Sequence, residues 1–147
     1  MRMLVALLAL AHGAIHVMGF VKAYGLAEIS SLHQPISRPI GLLWLAAAVL
    51  FLLTAVLLVV RSGPWWMAAT PAIVLSQTLI FMHWHDAWFG TVANVVLLVP
   101  LTLSLLDLRP GSFPSAFRRL AADVVAPAAR IDLTPITEAD LGSLPPV

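Results

Sequence analysis

Four long apolar segments, separated by short polar ones, set the pattern of this chain. Each segment is close to the roughly 20 residues that an α-helix needs to cross a hydrocarbon core of about 30 Å. The pattern predicts spans at about residues 3–23, 39–60, 65–85 and 88–106. The fold class we expect is all-α, a polytopic membrane protein with four transmembrane helices in an antiparallel bundle.

The polar segments carry turn and cap signals. Residues 24–38 make the longest connection, whereas residues 61–64 and 86–87 make tight turns. Pro39 suits the first turn of the second span, and Asp86 suits the N-cap of the fourth. Pro71 lies inside the third span and predicts a kink there or a position in its first turns.

The composition changes beyond residue 107, so we divide the chain into a bundle at 1–107 and a tail at 108–147. Residues 116–125 fit a basic amphipathic segment that lies along the membrane surface. A flexible, proline-rich stretch follows, in which residues 137–140 fit a helix start that Gly142 soon stops.

Composition places the chain among integral membrane proteins, because 61% of its residues are hydrophobic and 10% are charged, against about a quarter charged in soluble domains. Basic residues are scattered, so we expect no nucleic-acid partner. The chain has no cysteine, which excludes disulfides and thiolate metal sites. Lys and Arg favour cytoplasmic termini, with Arg2, Arg61, Arg109, Arg118 and Arg119 on the inner side and Lys22 and Arg38 on the outer side.

Two histidines interrupt the first span one helical turn apart, at His12 and His16, and Gly19 continues their face. Ionisable side chains are costly in hydrocarbon and mark an interhelical hydrogen bond or a functional site. Counting 1.5 Å per residue from the span ends puts His16, Gln77 and Asn94 at similar depth. These three residues form a predicted interhelical polar layer.

The same histidines suggest a second interpretation, a metal or haem site in the outer half. Imidazoles are the strong ligands that a cysteine-free bundle offers to haem iron, copper or zinc. The candidate metal ligands are His12, His16, His83, His85 and Asp86, and the candidate haem-binding residues are His16, His83 and His85. His83 and His85 share a face only if the third span ends by His83, and they could instead be interfacial residues that cap a turn.

Residues 12–25, 35–44 and 86–94 together resemble the membrane region of an uncharacterised bacterial family whose members carry the label of transporter permeases. The resemblance covers nearly the whole chain and implies four helices in the bacterial inner membrane. In longer relatives a tail like residues 136–145 leads into a soluble domain of unknown function, and this chain stops where that domain would begin. The resemblance supplies no activity and no catalytic residue.

Three functions are compatible with these observations. We expect a non-enzymatic membrane anchor or interaction module whose partners are the lipid bilayer and a soluble domain or protein on the cytoplasmic side. The alternative is a metal- or haem-binding redox module. A small transporter or permease component comes third, because neither an internal repeat nor a broken helix is evident. Hydrolytic machinery is not visible either, since Glu28, Asp86 and Asp107 all lie at or outside span ends.

Overall fold

The computed structural model describes residues 2–109 and 111–128, and the regular elements in these ranges are all helical. Four helices are long and apolar enough to cross a membrane, as the sequence predicts. They are α1 (Arg2–Ala23), α2 (Arg38–Val59), α3 (Trp66–Met82, preceded by a 3-10 turn at Gly63–Trp65) and α5 (Gly90–Asp107). A short helix, α4 (Trp84–Ala87), joins α3 to α5, and α6 (Phe113–Ala128) follows α5.

The third and fourth spans differ from their predicted bounds at the end where they meet. α3 ends at Met82 because His83 leaves the helical conformation, with φ −121° and ψ 40°. α5 begins at Gly90 rather than near Trp88. The α3–α5 connection is therefore longer than the two-residue turn expected from the sequence.

The chain divides into two compact units, residues 1–106 and residues 107–147. In the second unit, α6 is amphipathic. Its exposed apolar side chains recur at helical spacing, at Phe113, Phe117, Leu120 and Val124. The helix start expected at residues 137–140 lies outside the described residues.

Small residues let α1 and α2 pack closely, and α1 makes its most extensive helix contact with α2. A Cβ atom added to Gly13 would lie 2.9 Å from the Cβ of Phe51. Gly19 lies directly against the indole of Trp44, where a Cβ atom would overlap the ring. The small residue predicted to permit close approach therefore does so, and it brings Trp44 beside the histidine face.

α5 joins the other helices mainly through side chains, since its backbone approaches theirs at few points. Leu97 and Leu101 are buried in a cluster with residues of α1, α2 and α3, which includes Ala9, Phe51 and Ala69. This arrangement leaves room between α1 and α5 that side chains only partly fill.

The loop between α1 and α2 folds over the α3–α4 junction. The carboxylate of Asp86 accepts hydrogen bonds from the backbone N–H groups of His33 and Gln34, each at 2.7 Å. The Lys22 ammonium donates to the carbonyl of Leu32. Asp86 therefore holds this loop in place and does not cap α5, because it lies within α4 and α5 begins only at Gly90.

Candidate ligand site around the histidine pair

His12 and His16 are the centre of the candidate site. Their side chains are on one face of α1, the residues are 2% and 1% exposed, and the ring centroids are 4.7 Å apart. Phe51 of α2 packs against the His12 ring with centroids 4.8 Å apart, and Trp44 packs against the His16 ring at 5.1 Å. Both imidazoles therefore pack against aromatic side chains of α2 where α1 and α2 meet.

A hydrogen-bond network fixes the His12 ring. Its Nε2 lies 3.0 Å from Oδ1 of Asn94 and 3.2 Å from Oγ of Ser76. Nδ2 of Asn94 donates to Oγ of Ser76 and to Oε1 of Gln77, each at 3.0 Å. Nε2 of Gln77 in turn donates to Oγ1 of Thr91 at 3.1 Å. The network connects α1, α3 and α5 in a layer of side chains.

The partners of the two rings determine which nitrogens carry a proton. An amide oxygen and a backbone carbonyl accept hydrogen bonds but cannot donate them. Nε2 of His12 therefore carries the proton that it donates to Asn94. Nδ1 of His16 carries the proton that it donates to the carbonyl of His12 at 3.0 Å. In the neutral imidazoles, Nδ1 of His12 and Nε2 of His16 are left as lone-pair acceptors.

Those two acceptor nitrogens are buried and have no hydrogen-bond partner among the described residues, and the Nε1–H donor of Trp44 is in the same condition. Buried polar atoms in native proteins are nearly always paired. Three such atoms on adjacent side chains are therefore an unusual concentration. They offer two acceptors and one donor to a molecule that lies beside them.

A cavity of about 190 Å³ adjoins these side chains and is lined by His12, His16 and Trp44. The rest of its lining is mainly apolar, with polar exceptions at Ser31 and Asp86. The further apolar lining residues are Ile15, Met18, Leu32, Ile80, Ala87, Phe89, Gly90 and Ala93. The three side chains that carry the unpartnered atoms are therefore all among the residues that line this cavity.

Asp86 closes the end of the cavity beneath the loop. Its side chain is 4% exposed, although His33, which approaches it at 3.3 Å, is 82% exposed. The backbone N–H of Gln34, and next that of His33, hold the pKa of the Asp86 carboxyl below its usual value, and burial opposes this shift. Asp86 is thus an anion near neutral pH whose oxygens are occupied by the loop.

The polar layer in the structure contains the two predicted amides, Gln77 and Asn94, but its histidine is His12 and not His16. Gln77 and Asn94 are hydrogen bonded to each other, but His12 is their histidine neighbour and His16 turns to a backbone carbonyl. The depth estimate assumed that all helices end at one level. In the structure His12 is the histidine that lies level with Asn94, so α1 and α5 are offset from the heights that this assumption gives them.

The structure does not gather the five predicted metal ligands. His12 and His16 are adjacent, and Asp86 lines the same cavity. His83 is buried on the other side of the Trp44 indole, with ring centroids 5.8 Å apart, and it bonds to the carbonyl of Leu79. α3 ends at Met82, which is the condition under which His83 and His85 could share a face. His85 is nevertheless exposed, whereas His83 is buried. In residues 2–109 and 111–128, no group of three or more His, Asp or Glu could hold a metal ion.

Three residues of the site were not identified from the sequence. Ser76 and Thr91 complete the network, and Trp44 lines the cavity. Ser76 is next to Gln77 in a polar stretch of the third span, which was a usable signal. Trp44 gave none, because a tryptophan in an apolar span most often faces lipid or core.

Comparisons with protein-family models, with curated proteins and with solved structures give no match for this chain. The geometry of the histidine pair and its cavity is therefore the basis for assigning a function.

Proposed function

We propose that this chain is a multi-pass membrane protein that binds a small ligand in the cavity beside His12 and His16. The observation that carries the proposal is the pair of buried, unpartnered imidazole nitrogens on two side chains that line one cavity. Leaving a buried acceptor unpaired costs about 1–3 kcal/mol. A bound hydrogen-bond donor or metal cation would remove that cost, which favours a binding site over a purely structural layer.

The hydrogen-bond network supports this assignment because it prepares the site. Asn94 fixes one tautomer of His12, and the His12 carbonyl fixes one tautomer of His16. Each fixed tautomer leaves its second nitrogen as an acceptor. A site that is organised before its ligand arrives loses less conformational entropy on binding.

For the membrane arrangement we propose an antiparallel bundle in a bacterial inner membrane, with both termini in the cytoplasm. The distribution of Lys and Arg near the span ends supports this topology. The cavity then lies in the outer half of the bilayer, and the loop held by Asp86 faces the outside. Access to the cavity from the membrane or from the outer surface is compatible with this arrangement.

The binding function is tested by melting the purified full chain in detergent with copper(I), zinc, haem and lipid-soluble phenols, each added separately. A ligand that binds the folded state raises its stability by mass action. At least one ligand should raise the melting temperature of the wild type and of His85→Ala, but not of His16→Leu. His85 is the matched control, because it is an exposed histidine. If no ligand separates these variants, the cavity has no binding role.

The second candidate function is the membrane anchor expected from the sequence, and the exposed apolar face of α6 favours it. Such a face, flanked by arginines, suits the headgroup region of a bilayer. Cysteines at Phe117 and Ala122 test this, because the two positions are on opposite sides of α6. In membrane vesicles, an aqueous thiol reagent should label Ala122→Cys much faster than Phe117→Cys. Equal rates would contradict surface binding.

A further inference from the structure

A second pocket, an apolar groove, lies between α1 and α5. The groove has a volume of about 400 Å³ and is lined on one side by Leu4 and Leu8 and on the other by Leu97 and Pro100. Leu4, Leu8 and Ile15 lie within about 40° of one another around α1. Since Ile15 lines the cavity, cavity and groove are on the same side of this helix.

On α5, too, the residues that line the cavity and those that line the groove are on one side of the helix. Ala93 lines the cavity, whereas Leu97 and Pro100 line the groove. At 3.6 residues per turn these three residues lie within about 60° of one another. Cavity and groove therefore follow one another along the same sides of α1 and α5. A molecule with a compact head and a long apolar tail matches this shape.

The histidine tautomers determine the polarity of the head. Nδ1 of His12 and Nε2 of His16 accept hydrogen bonds, so the head must present donors. Nε1–H of Trp44 is a donor without a partner, so the head must also present an acceptor. Two hydroxyl groups on one ring meet both requirements, because each hydrogen donates and each oxygen accepts.

The remaining features of the cavity favour a neutral head over a cation. The carboxylate that lines it, Asp86, already accepts two backbone hydrogen bonds from the loop. A carboxylate held by the loop is not free to move towards a cation beside the two imidazoles, and a charge is costly in a mainly apolar cavity. In size, about 190 Å³ exceeds the roughly 150 Å³ of an apolar cavity that accepts benzene. One hydroxylated six-membered ring is the matching head.

The geometry points to a lipid-soluble hydroquinone as the ligand, with its dihydroxy ring in the histidine cavity and its apolar tail in the α1–α5 groove. This inference rests on the proposed binding function and adds the chemical class. The reduced form is preferred over the quinone, since quinone carbonyls cannot donate to His12 or His16. Ile15 and Phe89 at the cavity wall are 56% and 69% exposed, which gives the ligand a path from the bilayer.

The test compares decylhydroquinone with decylbenzoquinone on the wild-type chain in detergent without oxygen, and reads apparent Kd from ligand-dependent melting. Losing one or two hydrogen bonds corresponds to about a tenfold weaker Kd, so the hydroquinone should bind about tenfold or more tightly. This comparison needs no variant. In His16→Leu the preference should fall to within about twofold. An equal or stronger affinity for the quinone in the wild type would overturn the inference.

The groove is tested by Val96→Trp, since Val96 lines it and is 52% exposed. This variant should weaken decylhydroquinone binding and leave binding of tail-free hydroquinone unchanged. Val74→Trp is the matched control on the exposed surface of α3 and should change neither. If decylhydroquinone binds Val96→Trp as well as it binds Val74→Trp, the tail is not in the groove and the inference fails.

These experiments also distinguish failure of the hydroquinone inference from failure of the proposed binding function. If hydroquinones fail to bind but copper(I), zinc or haem stabilises the wild type and not His16→Leu, the hydroquinone inference is wrong and the binding function stands. If neither the hydroquinones nor these other ligands separate the wild type from His16→Leu, both proposals are overturned.

Discussion

Replacing Asn94 with leucine should destabilise the helix assembly by about 2 kcal/mol. Asn94 makes hydrogen bonds to His12, Ser76 and Gln77, all between 3.0 and 3.2 Å. Interhelical hydrogen bonds in membrane proteins contribute about 0.6 kcal/mol each on average, which gives about 2 kcal/mol for three partners. Leucine has the same number and branching of side-chain heavy atoms as asparagine, and its bulkier methyl groups add a packing cost in the same direction. The loss should come mainly from the partners that Asn94 leaves behind.

The assay is unfolding of the purified chain in mixed micelles, with the free energy taken from the transition midpoint and slope. Val95→Leu is the control, because Val95 neighbours Asn94 and is 56% exposed. It should change the free energy of unfolding by less than about 0.5 kcal/mol. A double-mutant cycle with His12→Leu then measures the coupling between the two residues.

The coupling energy shows whether His12 and Asn94 stabilise the protein together or independently. If His12 and Asn94 act as one hydrogen-bonded unit, the double variant should be more stable than the sum of the single losses allows. The reasoning is refuted if Asn94→Leu is as stable as the wild type, or if the two losses simply add. Either result would mean that the layer does not hold α1 to α5.

Three further predictions concern packing, pH and topology. Gly19→Ala should cost about 1–3 kcal/mol of unfolding free energy because its Cβ would overlap an indole, whereas Gly63→Ala, which meets open space, should cost little. Because the Asp86 pKa is depressed in the folded state, its hold on the loop is complete above the unfolded value of about 3.9 and is lost as pH falls through the lower folded value. Protection of the two loop amides from hydrogen exchange, measured relative to the intrinsic rate at each pH, should be high at pH 5–8 and low in stronger acid. With no native cysteine, Ser30→Cys should be labelled by an impermeant reagent from outside intact cells and Ala122→Cys only after the membrane is opened.

Much of the fold could be predicted from hydrophobic pattern alone. Spans as long as those of α1 and α2 are set by the thickness of the hydrocarbon core, and their bounds agree with the sequence to within one residue. The α3–α5 connection was harder, because His83 and Asp86 suit both a helix end and a cap. Local sequence does not show that the carboxylate of Asp86 instead bonds to a loop about fifty residues earlier.

The site could be located in the sequence but its pairing could not be assigned. An ionisable residue inside a span marks His12 and His16 at once, since hydrocarbon tolerates few such groups. Which of the two meets Asn94 depends on the relative heights of α1 and α5, and these depend on tertiary packing that hydrophobic pattern does not show. A one-turn error in height, about 5.4 Å, exchanges one histidine for the other.

The polar layer also bears on the order in which the chain assembles. His12 and its partner Asn94 are 82 residues apart, and Ser76 lies 64 residues after His12. During synthesis α1 therefore enters the bilayer before α3 and α5 exist, and its histidines have no side-chain partners from those helices. α5 is the helix that completes the layer, so its arrival turns a loose set of inserted segments into a joined structure. A change at Asn94 would leave His12 without its amide partner and the nascent chain open to quality-control recognition.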